Sequence, residues 1–311
     1  MTKVFIDGSA GTTGLNIRER LIGRADVELI VLPEEQRKDI SARQDALNSC
    51  DVAFLCLPDD AAREAVSLIE NPAVAVIDAS TAHRTAEGWV YGFPELSGQR
   101  EKIRASKRIA NPGCYASGFI ALIRPLTEGG FLSPEASVKC HALSGYTGGG
   151  AKTITQYEDA GRDRELKSPR HYGLTLSHKH VPEMMKLTGL TKKPLFAPII
   201  CDFPRGMAVS VMFELSELGG VGSPEALRAL YKDYYSGAQL VKVMEEKSDI
   251  GGFLGSNNLS ERDIMELHVF GNEEQVMLVS RLDNLGKGAS GAAVQNMNIL
   301  IGADETAGLD L

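Results

Sequence analysis

Cys114 lies in the stretch IANPGCYASG, where Asn111, Pro112 and Gly113 force a tight approach and small residues follow. Most free cysteines pack as small apolar residues. A cysteine at the start of a helix is different, because the thiolate is the reactive form and a helix N-terminus stabilises negative charge. The run YASGFIALIRPL after Cys114 has the character of a helix, so this thiol is a candidate nucleophile. Cys56, inside AFLCLP, reads instead as a core residue.

A nucleophile needs a base. SHKHVPE places His178 and His180 two apart, with Glu183 three further on. In extended chain, i and i+2 face the same side. One histidine can then act as general acid/base with Glu183 orienting it, or the pair can begin a zinc site. Zinc needs a further firm ligand, and only His171 is nearby, so no metal is expected.

Gly8, Gly11 and Gly14 form G-x-x-G-x-x-G, with Thr12 and Thr13 between the last two. Glycine admits positive φ and lets a backbone approach a pyrophosphate at a helix N-terminus. The loop follows the apolar run KVFID and precedes an imperfect helical face at 15, 17, 21 and 22, which is the context a dinucleotide site requires. At the end of the next apolar run, VLPEEQRKD offers Glu34 and Glu35 for a ribose hydroxyl, and Arg37 and Lys38 for a 2′-phosphate. The basic pair favours NADP.

These residues need a frame. VELIVLP, VAFLCLP and AVAVIDAS are continuous apolar runs, suited to strands covered on both faces, and AAREAVSLIE reads as a crossover helix. Alternating strands and helices to about residue 110 predict a doubly wound, Rossmann-like domain. Further on, SVKCHALSGYTGGGAK reads as a strand running into a glycine-rich loop, and LFAPIICDFPRGMAVSVMFEL as two strands joined by a turn at 204–206. SPEALRALYKDYYSG is a helix capped by Ser223, and DIMELHVFGNEEQVMLVSRLDN a hairpin across Gly271-Asn272. This second domain is α+β, with several antiparallel strands. GASGAAVQNMNILIG gives a last helix, apolar at 293, 294, 297 and 300.

The 311 residues carry a net charge of −8, with no block of either sign, which argues against nucleic acid or an anionic membrane as partner. No apolar run approaches the roughly 20 residues of a membrane span. Five scattered cysteines without a C-x-x-C pair suit a reducing compartment, so the expected location is the cytoplasm.

Together, G-x-x-G-x-x-G at 8–14, YGFPEL at 91–96, NPGCYAS at 111–117, SGYTGGGAK at 144–152, HKHVPE at 178–183 and DNLGKGASGAAVQNMN at 283–298 resemble the N-acetyl-gamma-glutamyl-phosphate reductases in their compact variant. The wider group includes the aspartate-semialdehyde and glyceraldehyde-3-phosphate dehydrogenases. The chain departs from the pattern at Ala292, where relatives often have glutamine, and in segment 144–150. The resemblance implies a dinucleotide-binding domain over 1–113, completed by 285–311, and a catalytic and oligomerisation domain over 114–284. It implies NADPH-dependent reduction of N-acetyl-γ-glutamyl phosphate to the semialdehyde, in arginine biosynthesis, through a Cys114 thioester. His180 is then the first choice for acid/base, with His178 the alternative and Glu183 the orienter. Asn284, Lys287 and Gly288 become expected cofactor neighbours. Ser144, Gly145, Arg84, Lys152 and Arg205 become expected substrate contacts. A homo-oligomer, dimer or tetramer, is expected. The rivals are a reductase of another acyl phosphate, and a cofactor-binding sensor without catalysis; a sensor has no use for a nucleophile.

Overall fold

The computed structural model describes residues 1–245 and 249–311, in two compact units: residues 1–113 with 289–310, and residues 114–288. The first passage holds β1 (Thr2–Asp7), α1 (Thr12–Leu21), β2 (Val27–Ile30), α2 (Ile40–Ser49), β3 (Val52–Leu55), α3 (Asp59–Ser67), β4 (Ala75–Asp78), β5 (Val90–Tyr91), α4 (Gln99–Ala105) and β6 (Arg108–Ala110). The second unit follows with α5 (Cys114–Glu128), β7 (Lys139–Gly145), α6 (Ala151–Glu158), β8 (Arg170–His171), α7 (Val181–Thr188), β9 (Leu195–Cys201), β10 (Met207–Glu214), α8 (Pro224–Tyr234), β11 (Val241–Val243), β12 (Met265–Gly271) and β13 (Gln275–Leu282). A π-helical turn at 286–290 leads into α9 (Gly291–Ile301), which belongs to the first unit.

The first unit is a parallel six-stranded sheet ordered β2-β1-β3-β4-β6-β5. Side chains alternate across its faces, as strand geometry requires. Val4 and Ile6 pack with Ile17 and Leu21 of α1 and Val294 and Met297 of α9, while Phe5 packs with Ala46 and Leu47 of α2 and Ala65 of α3. The chain reverses its direction of travel across the sheet at β1, so the crevice beyond the end of β1 is where such sheets hold ligands. Gly8 stands there. The run at β2 departs from expectation. It lies at the sheet edge, Leu29 and Ile30 are half-buried, and Val31 is exposed. In α1 only Ile17 and Leu21 of the four apolar positions are buried; Leu15 and Ile22 face solvent because one sheet face covers a single stripe.

The second unit is a seven-stranded sheet ordered β11-β12-β13-β10-β7-β9-β8. It is mixed rather than antiparallel throughout, since β7 runs parallel to β9 and β11 to β12. β9 and β10, joined by the 204–206 turn, do not pair with each other; β7 lies between them. Segment 146–149 is a short 3₁₀ turn that feeds α6. One sheet face is covered by α5, whose Gly118 is needed because a Cβ there would stand 2.7 Å from Val209 Cγ2 and 2.5 Å from Ser280 Oγ. Ser223 caps α8 by accepting from the Ala226 N–H at 3.2 Å, as expected. No helix among the described residues is long and apolar enough to cross a membrane.

Candidate active site

Cys114 is the first residue of α5 and is half-buried, so the helix begins at the thiol itself. Asn111, Pro112 and Gly113 before it are all buried. Gly288 closes the space behind it: a Cβ at Gly288 would stand 2.9 Å from Cys114 Cβ and 2.9 Å from the Asp283 carbonyl oxygen. The other four thiols are held in their neutral form. Burial pushes Cys50 and Cys56 up to about 12, and raises Cys140 and Cys201 as well.

Aromatic and imidazole rings gather around α5. The Tyr115 ring lies 5.8 Å from that of His178 and 6.1 Å from that of His180, and His178 meets His180 edge-on at 4.7 Å. Tyr172 stands 5.7 Å from His178 and 6.4 Å from Tyr115, ring centre to ring centre. Burial raises both phenols, and negative charge on Cys114 raises them further. The backbone N–H of His180 donates to His178 Nδ1 at 3.1 Å. His180 is the N-cap of α7 and is buried; Glu183 is buried in that helix's first turn.

The expected substrate and cofactor residues separate into groups. Ser144 and Gly145 end β7, buried, and a Cβ on Gly145 would strike the Pro204 carbonyl oxygen at 2.5 Å. Asn284 is buried, and both ends of its amide are engaged: Oδ1 accepts from the Gly206 N–H at 2.9 Å and Nδ2 donates to Thr147 Oγ1 at 2.9 Å. It thus ties the 204–206 turn to the end of β7. Arg205 in that turn sets Nε 2.8 Å from Asp283 Oδ2, too poorly aligned for a hydrogen bond, and its buried Nη2 has no hydrogen-bond partner among the described residues. Lys287 is buried in the π-helical turn beside Gly288, whereas Lys152 is exposed on α6. In the first unit, Arg84 donates from Nε to the Asn111 carbonyl at 3.0 Å and from Nη2 to the Ala79 carbonyl at 3.2 Å. Those bonds brace the segment that leads into Cys114.

The glycine loop fits a dinucleotide. Gly8 has φ +88°, and a Cβ on it would lie 2.3 Å from the Cys56 carbonyl oxygen; one on Gly14 would lie 2.4 Å from the Gly8 carbonyl oxygen. Gly11, with Thr12 and Thr13 opening α1, completes the turn. Beside it is a cavity of about 650 Å³ whose lining includes Gly8, Ser9, Glu34, Glu35, Arg37 and Lys38. Arg43 also lines it. Its Nη2 holds Asp7 Oδ2 at 2.9 Å and its Nη1 holds Glu64 Oε2 at 2.9 Å. Burial raises the Asp7 carboxyl despite that partner.

Sequence comparison resolves the family. Residues 3–106 match the family described as Semialdehyde dehydrogenase, NAD binding domain, and residues 114–284 the Semialdehyde dehydrogenase, dimerisation domain. The chain is 47% identical to N-acetyl-gamma-glutamyl-phosphate reductase 2 of Nostoc sp., over 99% of each chain. It is 48% identical to the N-acetyl-gamma-glutamyl-phosphate reductase of Brucella ovis, over 96% of this chain and 99% of that one. The chain belongs to the N-acetyl-gamma-glutamyl-phosphate reductase family. The reductase resemblance carried by the sequence motifs therefore extends along the whole chain. Its fold is also that of aspartate semialdehyde dehydrogenase from Francisella tularensis, with a TM-score of 0.72 at 15% identity over 97% of this chain and 100% of that one. The enzyme from Vibrio cholerae gives 0.67, also at 15% identity, over 97% and 98%.

The motifs of this reductase family point at Cys114 and the histidines, but Tyr172 and Arg43 were missed. An HYG triplet six residues before His178 carries no signal of its own, and Arg43 declares itself only through its contacts with Asp7.

Proposed function

We propose that this chain is an NADPH-dependent N-acetyl-γ-glutamyl-phosphate reductase of arginine biosynthesis. It forms N-acetyl-L-glutamate 5-semialdehyde and releases phosphate through a thioester on Cys114. The observation that carries the reading is the placement of Cys114 at the first residue of α5, next in sequence to Tyr115, whose ring packs against those of His178 and His180. The Gly8–Gly14 loop, with Thr12, Thr13, Arg37 and Lys38, holds the cofactor. Bound reduced nicotinamide supplies the hydride that the thioester carbonyl accepts.

The chain's own groups do the rest. The α5 N-terminus stabilises the Cys114 thiolate, which attacks the acyl carbonyl. His180 takes the thiol proton and passes it to the departing phosphate, which leaves as hydrogen phosphate. Glu183 orients the histidine. His178 cannot share the accepting role while its Nδ1 accepts the His180 N–H, because its proton then sits on Nε2. That Nε2–H is a donor for the oxyanion of each tetrahedral intermediate. When the thiohemiacetal collapses, the aldehyde leaves and Cys114 returns as thiolate.

Arg205, with its unpartnered Nη2, is the first choice of cation for the substrate's anionic groups, beside Ser144 and Gly145. Lys152 and Arg84 are the other two, Arg84 with donors already on two backbone carbonyls. Asn284, Lys287 and Gly288 act by shaping the ground behind Cys114 and Arg205. The partner is this small molecule, with neither nucleic acid nor membrane, in the cytoplasm. The working form is a homo-oligomer. Register places Met212, Met277 and Phe270 in one row across β10, β13 and β12, where Met212 and Met277 are exposed, which favours a second copy on that sheet face. Incubation with NADP, phosphate and N-acetyl-glutamate semialdehyde should raise absorbance at the NADPH band. No signal with this semialdehyde, but signal with aspartate semialdehyde, would overturn the substrate.

A further inference from the structure

The cofactor cavity has a side recess that the motifs did not point to. It is small, shares Ile6, Ser9, Leu32 and Arg37 with the larger cavity's lining, and adds the end of β2 and Arg18. Arg18 lies in the second turn of α1. Side chains on a helix lean back toward its N-terminus, so a long one at this position reaches toward the glycine loop. Glu34 and Glu35 line the larger cavity but not the recess, whose lining therefore includes two arginines and no carboxylate.

Among the described residues, no ion pair or side-chain hydrogen bond engages Arg18 or Arg37. That is unusual company in a chain of net charge −8, where the neighbouring Arg20, Arg24 and Arg43 all have partners. Both arginines are exposed, and two cations in the lining of one recess favour an anion between them. A hydroxyl donor on Ser9 and two guanidinium forks suit a phosphate monoester, which accepts bidentate bonds.

We infer that Arg18 is a specificity-determining residue of the cofactor site, gripping the 2′-phosphate of the adenosine ribose together with Arg37 and Ser9. The inference rests on the NADP reading above and adds to it a residue from α1. It makes the choice between the two nicotinamide dinucleotides depend on the helix after the glycine loop as well as on the loop after β2.

The test uses the full chain and two fragments, 2′,5′-ADP and 5′-ADP, with affinities measured by calorimetry. Wild type should prefer 2′,5′-ADP. Arg18→Gln should weaken 2′,5′-ADP roughly tenfold or more, the usual scale for a lost charge-assisted bond, with 5′-ADP affinity unchanged. Arg18→Lys should recover part of the loss. If Arg18→Gln weakens neither fragment, or weakens both equally, Arg18 does not read the phosphate, even where wild type still prefers 2′,5′-ADP. If wild type binds both fragments alike, the NADP reading itself fails, and this assignment with it.

Discussion

The backbone N–H of His180 donates to Nδ1 of His178 across 3.1 Å, so two histidines of one short segment are chemically unequal. The bond leaves His178 with its proton on Nε2, so the accepting role is assigned to His180. His180→Asn should therefore lower kcat by roughly 10² to 10⁴ with cofactor binding retained. His178→Asn, which keeps a donor amide, should cost less than His178→Phe. Long-range ¹H–¹⁵N spectra of the resting protein should show His178 as the Nε2–H tautomer. An Nδ1–H signal there would reverse the two roles.

Cys114→Ser changes the volume little but removes the nucleophile, because a serine hydroxyl is barely ionised at neutral pH and an oxygen ester accepts hydride poorly. Turnover should fall to near background while NADPH still binds. Iodoacetamide should label Cys114 first. At pH 8 a thiol raised to about 12 is ionised in about one molecule in ten thousand, so Cys50 and Cys56 are out of the competition. Peptide mapping that found Cys56 modified before Cys114 would contradict this.

Arg37 and Lys38 line the cavity beside the Gly8–Gly14 loop. Replacing both by alanine should raise the KM for NADPH about tenfold or more, on the scale of charge-assisted bonds, and leave NADH use nearly unchanged. Equal losses with the two cofactors would remove this loop from the choice between them.

Asn284→Ala leaves the buried Gly206 N–H and Thr147 hydroxyl without their partner. Such orphaned groups cost about 1–3 kcal/mol, which a urea midpoint resolves. Because Gly206 neighbours Arg205, the KM for the acyl phosphate should rise with the loss of stability. A stable variant with normal KM would show that the 204–206 turn holds its place unaided.

Asp283 gives a pH signature. Burial raises its carboxyl above the ordinary 3.8, against the lowering effect of bonds from the Leu285 and Glu261 N–H groups and the charge of Arg205. Between 3.8 and the raised folded value the native state binds more protons than the unfolded one, so this group's contribution to stability falls as pH rises through that window. Above the folded value it is flat. Wild type should therefore lose stability relative to Asp283→Asn as pH climbs from 3.8, measured by urea unfolding at several pH values. A difference that grows in favour of wild type over that range would contradict the assignment.

Much of the molecule was legible locally. β1 with its glycines, the crossover helix α3, the Ser223 cap and the β12–β13 hairpin are each written in one continuous stretch, by periodicity, capping and turn chemistry. Cys114 and the two histidines were legible for the same reason, since their signal is a residue type in a local setting. β2 misled because an apolar run does not say whether its strand lies in the middle of a sheet or at its edge.

Tertiary structure decided what local pattern cannot hold. The placing of β7 between β9 and β10 turns an apparent hairpin into two separated strands, because backbone pairing depends on which strand fills the gap, not on the turn that joins two neighbours. The same holds for side chains. Asn284 reaches partners 78 and 137 residues away, Tyr172 meets Tyr115 of α5 from the segment just after β8, and Arg43 finds Asp7 across the first unit. Local sequence names residues able to do chemistry; sheet order, by bringing distant segments within reach, decides which of them stand together.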